Sequence, residues 1–370
     1  MLIIIKNYSR YKTNTREFIM QISIVLPIYK VEKYLEECLN SIKNQNFQDF
    51  EAIMVDDGSP DNSAQICQKF SGEDSRFKYV HQENQGVSVA RNTGLKYAQG
   101  KYIYFMDPDD TFSPDFLQAM YDEAEKTGVD MVVNPVVYTN LADKTLLPLS
   151  KTTPGIYEAS LQNYFPEGYL WFKLYRKELL DKADVSFLKG CHFREDELFG
   201  MMLYPYCRSY AIIRQGWYHY RQHGESALAR AERNKKLYAE SIVVSLPVIF
   251  EFFYKRQLFD YFPLALNLLP YPHGWYSVLD YWRLIQEISR KYKLTEWKNY
   301  LHPYLQAAVK PQSFPLFLFR MMKLYGKGRL KQIRKQMISV KMRKNYKLVR
   351  ILGITLLEKG DREYKNKKIA

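Results

Sequence analysis

The 370-residue sequence has only four cysteines, Cys38, Cys67, Cys191 and Cys207, and no two of them form a CxxC pair. Such scatter excludes a CxxC-type zinc site and speaks against a disulfide framework; it fits unpaired thiols in a reducing compartment. Long apolar runs are also missing. No stretch approaches the roughly 18 apolar residues that span a bilayer, and the greasiest, around Ile242–Phe253 and Phe314–Phe319, are short and interrupted. Met1–Ile5 is followed by Lys6 and Arg10, without the charge, apolar core and cleavage site of a secretory signal. No GxGxxG follows the first strand-like run and no GxxxxGK[ST] occurs anywhere, which removes the two commonest glycine-rich phosphate cradles. There is no internal repeat and no low-complexity linker. The expectation is a cytoplasmic chain that does not cross the membrane.

Apolar residues make up 46% of the sequence, ample for a core, and the length calls for a principal domain plus a second region. The formal charge of +14 is unevenly placed. Residues 320–370 hold 17 Lys/Arg against 3 Asp/Glu, which leaves 37 of each sign in the first 319 residues. Basicity therefore belongs to the tail.

Ile22–Pro27 (ISIVLP) is a nearly unbroken apolar run, as expected of a buried parallel strand. Val31, Tyr34, Leu35, Cys38, Leu39 and Ile42 then fall at helical spacing and make one apolar stripe. A second strand, Phe50–Val55, ends in Asp56-Asp57-Gly58-Ser59. A further helix, a strand over Phe77–Val80 and a helix over Ser88–Ala98 follow. The strand Tyr102–Met106 ends in Asp107-Pro108-Asp109-Asp110. This alternation predicts a doubly wound α/β sheet. Leu170–Leu180, Glu195–Tyr204 and an aromatic strand around Trp217–Tyr220 complete the first domain. Beyond about residue 230 the pattern predicts helices rich in Tyr, Phe and Leu.

Carboxylates thus stand at two strand ends, where open α/β sheets bind their ligands. Clustered acids repel one another unless a cation or a donor satisfies them. Two Asp separated by one residue can face the same divalent cation, and a hard cation with few protein ligands is how magnesium or manganese meets a diphosphate. Each string taken singly is also an ordinary turn or helix-cap sequence. Their joint placement points to a nucleotide diphosphate.

ISIVLPIYKVEKYLEECL (22–39), VDDGSPDNS (55–63), NQGVSVARNTG (84–94) and FMDPDD (105–110) together resemble glycosyltransferase family 2 over about residues 21–225. The likeness is to bacterial members that build cell-surface polysaccharides. It implies an α/β GT-A nucleotide-sugar-binding fold, Rossmann-like with a mostly parallel sheet, here with a C-terminal helical region. It also implies inverting, metal-dependent transfer of a sugar from a nucleotide-diphosphate sugar, UDP-linked by preference, to a hydroxyl of a lipid-linked or cell-surface glycan. In that scheme Pro27 and Tyr29 line the nucleoside pocket, Asp57 bonds the base and Arg91 helps hold the nucleotide. Asp107 and Asp109 form the acidic pair for Mn2+ or Mg2+, with Asp109 the more direct ligand and Asp107 nearer the ribose; the role of Asp110 stays open. The position between them is usually small in the family and is Pro108 here, which suits an extended turn.

Inverting transfer needs a carboxylate to take the acceptor proton. Arg194-Glu195-Asp196-Glu197-Leu198-Phe199 places acids where an apolar helix begins, and a helix N-terminus favours a charged carboxylate. Acids are commonplace there, but the resemblance makes Asp196 the base and gives Glu195 an orienting role. WFKLYRKELL (171–180) resembles a family helix beside the acceptor site, on which Trp171 either stacks on sugar or sits in the core. In YHYRQHGES (218–226), Arg221 and either His219 or His223 are implied to meet the leaving diphosphate or the metal.

In the tail, Lys and Arg alternate with Leu330, Ile333, Met337, Val340, Met342, Leu348, Val349, Ile351 and Leu352. A basic amphipathic helix on an anionic membrane surface fits this pattern. Nucleic acid is not an expected partner, because the first 319 residues are neutral and carry no RNA- or DNA-binding motif. The resulting division is an extension (1–19), a GT-A domain (20–230), a helical domain (231–319) and the basic tail (320–370). A catalytically inactive homologue that binds glycan or assembles with other subunits is the alternative.

Overall fold

A computed structural model describes residues 20–142, 144–147, 149, 153–160, 168–191, 193–224, 235–261, 278–292, 338–343, 346–351 and 354–359. The extension 1–19, the apolar stretch Phe314–Phe319 and tail residues 320–337 lie outside them.

The chain forms two compact units. The first holds the described residues of 20–158, 169–184 and 207–221; the second holds those of 159–168, 185–206 and the remainder from 222. An eight-stranded sheet organises the first unit. Its strands are β1 (Met20–Ile28), β2 (Phe50–Asp56), β3 (Phe77–His81), β4 (Gly100–Phe105), β6 (Met131–Val133), β9 (Gly155–Glu158), β10 (Lys173–Arg176) and β11 (Ser209–Ile212). They lie in the order β3-β2-β1-β4-β10-β6-β11-β9. The first four are mutually parallel, as are β6 and β11. The other three joins are antiparallel.

β2 is buried along its whole length, as is β1 from Ile22 to Ile28. A strand covered on both faces has no polar face to show, which is why these two read as continuous apolar runs. Helices α1 (Glu32–Lys43), α2 (Ser63–Glu73), α3 (Val87–Tyr97) and α4 (Phe116–Thr127) cross between the strands. α1 buries Leu35, Cys38, Leu39 and Ile42, the stripe expected from spacing. α3 approaches β1 closely at Gly94, where any Cβ would overlap the Val25 side chain.

The order 3-2-1-4 contains a reversal. Connections run outward from β1 through β2 to β3, then return to place β4 on the other flank of β1. The crevice beyond the carboxyl ends of β1 and β4 is therefore the switch point at which open α/β sheets bind ligands. A second, small sheet of β5 (Thr111–Phe112), β12 (Tyr218–His219), β7 (Val137–Asn140) and β8 (Thr145–Leu146) begins one residue after the acidic turn.

The segment 171–180, a helix by the family resemblance, instead holds the strand β10 followed by α5 (Lys177–Ala183). Leu174 and Tyr175 pair with β4 on one side and β6 on the other, and this two-sided pairing fixes the segment as a strand.

The second unit contains α6 (Glu195–Leu203), and its α7 (Lys235–Lys255) and α8 (Val278–Tyr292) are helices of the kind expected beyond residue 230. Glu251 of α7 accepts from Tyr292 Oη at 2.6 Å and pairs with Lys291 at 2.9 Å, tying α7 to α8. None of the described helices is long and apolar enough to cross a membrane. All four cysteines are free and buried.

The tail departs from expectation. β13 (Ile338–Arg343), β14 (Tyr346–Ile351) and β15 (Ile354–Lys359) form an antiparallel meander where a basic amphipathic helix was predicted. Ile338, Val340 and Met342 alternate with Ser339, Lys341 and Arg343, a period-two pattern. The helical reading spaced Val340 from Leu330, Ile333 and Met337 and passed over it.

Candidate functional site

β1 and β2 end side by side, with Pro27 opposite Val55 and Ile28 opposite Asp56. Pro27 is buried, and Tyr29 beyond it is 41% exposed. The Asp57 N–H donates to Ile28 O at 2.8 Å, locking the two strand ends together. Asp56, which sequence reasoning left without a role, braces this turn. It accepts from Ser59 N at 2.9 Å and Tyr79 Oη at 3.1 Å, and lies 2.9 Å from His81 Nδ1. Burial pushes its pKa up, but these partners outweigh it and hold the carboxyl below its usual value. Gly58 takes a left-handed conformation (φ +68°) here, and a Cβ would lie 3.0 Å from Asn84 N.

Asp57 is 2% exposed. Its Oδ1 accepts from Gln82 Nε2 at 2.7 Å and Gln85 N at 2.8 Å, and its Oδ2 from Gly86 N at 2.8 Å. A carboxylate offers about four acceptor positions, so three are committed to shaping the loop before α3, and Oδ2 retains the remaining one.

β4 leads into the acidic turn. Met106 N donates to Val25 O at 3.1 Å, which sets the turn directly over β1. Asp107 and Asp109 are half-buried, while Asp110 is 1% exposed. Arg91 of α3, 6% exposed, reaches Asp107 Oδ1 through Nη2 at 3.1 Å. Asp110 turns the other way and joins this turn to β12. Its Oδ2 accepts from Tyr218 Oη at 2.7 Å, and its Oδ1 from Arg221 N at 2.8 Å.

The turn concentrates negative charge. Burial first, then the charges of Asp109 and Asp107, drive the Asp110 pKa well above the carboxylate range. Burial followed by the same acidic residues raises the Cys38 thiol, and burial followed by Asp110 raises the hydroxyls of Tyr104 and Tyr218. Among the described residues no group of three or more His, Cys, Asp or Glu is arranged to hold a metal ion alone. Two half-buried carboxylates in a strongly negative turn do fit a hard cation that draws its other oxygens from a ligand.

Arg221 is engaged around this turn. Its Nε donates to Asp109 O at 2.8 Å, its Nη2 pairs with Glu37 Oε2 at 2.7 Å, and its guanidinium lies 5.2 Å from the Tyr34 ring centroid. His219 Nδ1 lies 3.4 Å from Thr111 Oγ1, and burial, followed by the Arg221 charge, lowers its pKa. His223 is half-buried at the end of the same segment. Trp171 is not on a helix. It is 3% exposed, with near-parallel rings of Tyr218 and Tyr220 at 4.7 and 5.4 Å, so it belongs to the core.

In the second unit, the expected acids open α6. Arg194 precedes the helix in a left-handed conformation (φ +64°) and forms two bonds to Glu197, of 2.5 and 2.7 Å. Asp196, in the first turn of α6, is half-buried, and its Oδ1 accepts from Glu197 N at 2.8 Å. Glu195 is half-buried beside it. A Cβ on Gly168 would lie 2.7 Å from Glu197 Cα, so that glycine fits directly against the first turn. Glu197, not singled out from sequence, is thus a structural member of this turn.

The profile of glycosyl transferase family 2 matches residues 23–184. GlyG, a glycosyltransferase of Streptococcus pneumoniae serotype 4, is 32% identical over 221 residues, covering 56% of this chain and 72% of that protein. The chain belongs to glycosyltransferase family 2. EpsJ of Bacillus subtilis, described as an uncharacterized glycosyltransferase, is 34% identical over 215 residues, 55% of this chain and 62% of EpsJ. GgaB, a minor teichoic acid biosynthesis protein of the same organism, is 31% identical over 245 residues, 62% of this chain but only 26% of GgaB. The chain therefore spans less than two thirds of either B. subtilis relative. Among solved structures, S. aureus TarS residues 1–349 in complex with UDP-GlcNAc superposes with a TM-score of 0.65. That match is at 19% identity and covers 92% of this chain and 99% of the other. The family 2 chain thus has the GT-A fold expected from its motifs.

Proposed function

We propose that the chain is an inverting glycosyltransferase using a nucleotide-diphosphate sugar, UDP-linked by preference, and a divalent cation. The acceptor is a hydroxyl of a lipid-linked or cell-surface glycan. The observation that carries this reading is the acidic turn at the β1/β4 switch point, flanked by Arg91 and by the buried carboxylate of Asp57. TarS, of like fold, is described in complex with UDP-GlcNAc, and GgaB is described as a teichoic acid biosynthesis protein; both agree with it.

In this reading Pro27 and Tyr29 line the nucleoside, and the free acceptor position on Asp57 Oδ2 takes one N–H of the base. Arg91 already faces Asp107, so it holds that carboxylate while presenting positive charge toward the phosphates. Asp109 and Asp107 hold Mn2+ or Mg2+, which supplies charge stabilisation for the departing diphosphate. Arg221 adds a second positive charge from β12's end. Asp196 takes the acceptor proton on Oδ2, since Oδ1 is committed to the Glu197 N–H; Glu195 orients the acceptor. The domain limits expected from sequence are part of the proposal.

A screen of UDP-sugars with Mn2+, with and without a lipid-linked acceptor, tests it. One UDP-sugar should release UDP faster in the presence of acceptor. No release from any UDP-, GDP- or dTDP-sugar would favour the inactive, glycan-binding alternative.

The proposal places the protein in the cytoplasm, peripheral on the inner face of the membrane. The net charge of the tail supports this, because several basic residues near an anionic surface add up, at about 1 kcal/mol each. Deleting residues 320–370 should release the protein from phosphatidylglycerol vesicles in a sedimentation assay, whereas undiminished binding would refute the membrane role.

A further inference from the structure

The acidic turn has two sides. Asp107 pairs with Arg91 of α3, which is proposed to help hold the nucleotide; Asp110 bonds to β12 and the segment after it. On that second side stands a stack of aromatic rings that no step above uses. Trp171 lies at its centre, near-parallel to Tyr169 (5.0 Å, 26°), Tyr218 (4.7 Å, 7°) and Tyr220 (5.4 Å, 13°). Such offset stacking is the favoured geometry for aromatic pairs. The carbonyl of Trp171 accepts from Tyr104 Oη, which fixes its backbone to β4. Trp171 and Tyr218 are buried, whereas Tyr169 and Tyr220 are half-buried.

Tyr220 is held at the chemistry. The residues on either side of it in this segment, Tyr218 and Arg221, both bond to Asp110, at 2.7 and 2.8 Å. Its own N–H donates to Tyr138 O at 2.9 Å. Burial and the nearby charges of Asp110 and Asp107 push its hydroxyl upward in pKa, which puts the ring within the field of the turn.

A pyranose presents a face of C–H groups that an aromatic ring can cover, with its hydroxyls left at the rim. We propose that Tyr220 and Tyr169, braced by Trp171, form the platform on which the pyranose ring of the acceptor is seated. The assignment rests on the glycosyltransferase reading above. The segment that carries Tyr220 bonds to Asp110, whereas Asp57 bonds the loop before α3 and Arg91 bonds Asp107; on this division of partners the platform is assigned to the acceptor sugar rather than the nucleotide. Because the rings are already stacked, little side-chain freedom is lost when sugar binds.

The experiment uses the full chain saturated with UDP and Mn2+. Saturation-transfer NMR is recorded with the methyl β-pyranosides of glucose, galactose, N-acetylglucosamine and N-acetylgalactosamine as probes. At least one should receive saturation on the C–H protons of one ring face. Tyr220→Ala and Tyr169→Ala should each weaken its binding roughly tenfold, the usual scale for removing an aromatic anchor. Tyr220→Phe should leave it within about twofold. UDP affinity by calorimetry should be unchanged in all three variants, which also shows that they fold. Saturation of no glycoside by the UDP-bound protein, or equal saturation in both alanine variants, would overturn the platform. A shift in UDP affinity instead of glycoside affinity would assign the rings to the donor and overturn it too. Failure of the wild-type protein to bind UDP at all would sink the glycosyltransferase reading itself.

Discussion

Replacing Asp196 with alanine should cut sugar transfer by roughly 10²–10⁴-fold, the usual contribution of a positioned general base, while UDP affinity stays within about twofold. Binding and catalysis separate here because the residues proposed to hold the nucleotide lie on or just beyond β1 and β2, on α3 and in the acidic turn, whereas Asp196 lies in the first turn of α6. The variant must be distinguished from one that merely frays its helix, since Asp196 Oδ1 also accepts the Glu197 N–H at 2.8 Å. Loss of such a hydrogen bond costs about 1 kcal/mol and would appear as a lower melting temperature. Asp196→Asn keeps an oxygen for that hydrogen bond but cannot take a proton. Equal loss of transfer in both variants, with the asparagine form melting like wild type, identifies the proton as the missing element. Transfer at the wild-type rate in Asp196→Asn would remove Asp196 from the role of base.

Asp109→Asn should raise the Mn2+ concentration for half-maximal UDP release by on the order of 100-fold or more. Outer-shell changes already cost 10–100-fold, and this one removes a proposed ligand charge. The same substitution should leave the metal-free protein as stable as wild type or more so. Asp109 repels Asp110, whose carboxyl is buried and pushed up in pKa by burial and by its acidic neighbours. Neutralising one member of such a cluster relieves repulsion when no cation is present. Melting curves with and without Mn2+ would show this crossover: wild type gains stability from the metal and the variant does not. If Asp109→Asn were destabilised without metal and activated normally by it, the residue would be structural.

Most of the first unit was legible because its central strands are buried on both faces and so are written as continuous apolar runs. The order in which β1, β2 and β4 end in Pro27, Asp56-Asp57 and Asp107–Asp110 followed from the same reading. Contacts across long sequence separations were not legible. The bonds from Asp110 to Tyr218 and Arg221 span 108 and 111 residues, and nothing local marks them. The resemblance assigns Asp57 to the base, although three of its acceptor positions shape the loop before α3. The resemblance implies a helix at β10, whose four residues are too few to display a period of their own; pairing with β4 and β6 decides its form. The choice between the two roles of Trp171 is not legible for the same reason, since the rings that cover it include Tyr218 of β12 and Tyr220 just after it. In the tail, apolar residues satisfied both the helical and the alternating template, and only strand pairing chose between them.

Calorimetric titration of UDP into the full chain, with Mn2+ and then with excess chelator, goes most directly to the nucleotide-diphosphate site proposed at the ends of β1 and β4. Binding with a dissociation constant of roughly 1 µM–1 mM, the span of enzyme–substrate affinities, and its loss on chelation are expected. No heat with UDP, GDP or dTDP in the presence of Mn2+, or UDP binding indifferent to the chelator, would contradict a metal-assisted diphosphate site at Asp107 and Asp109.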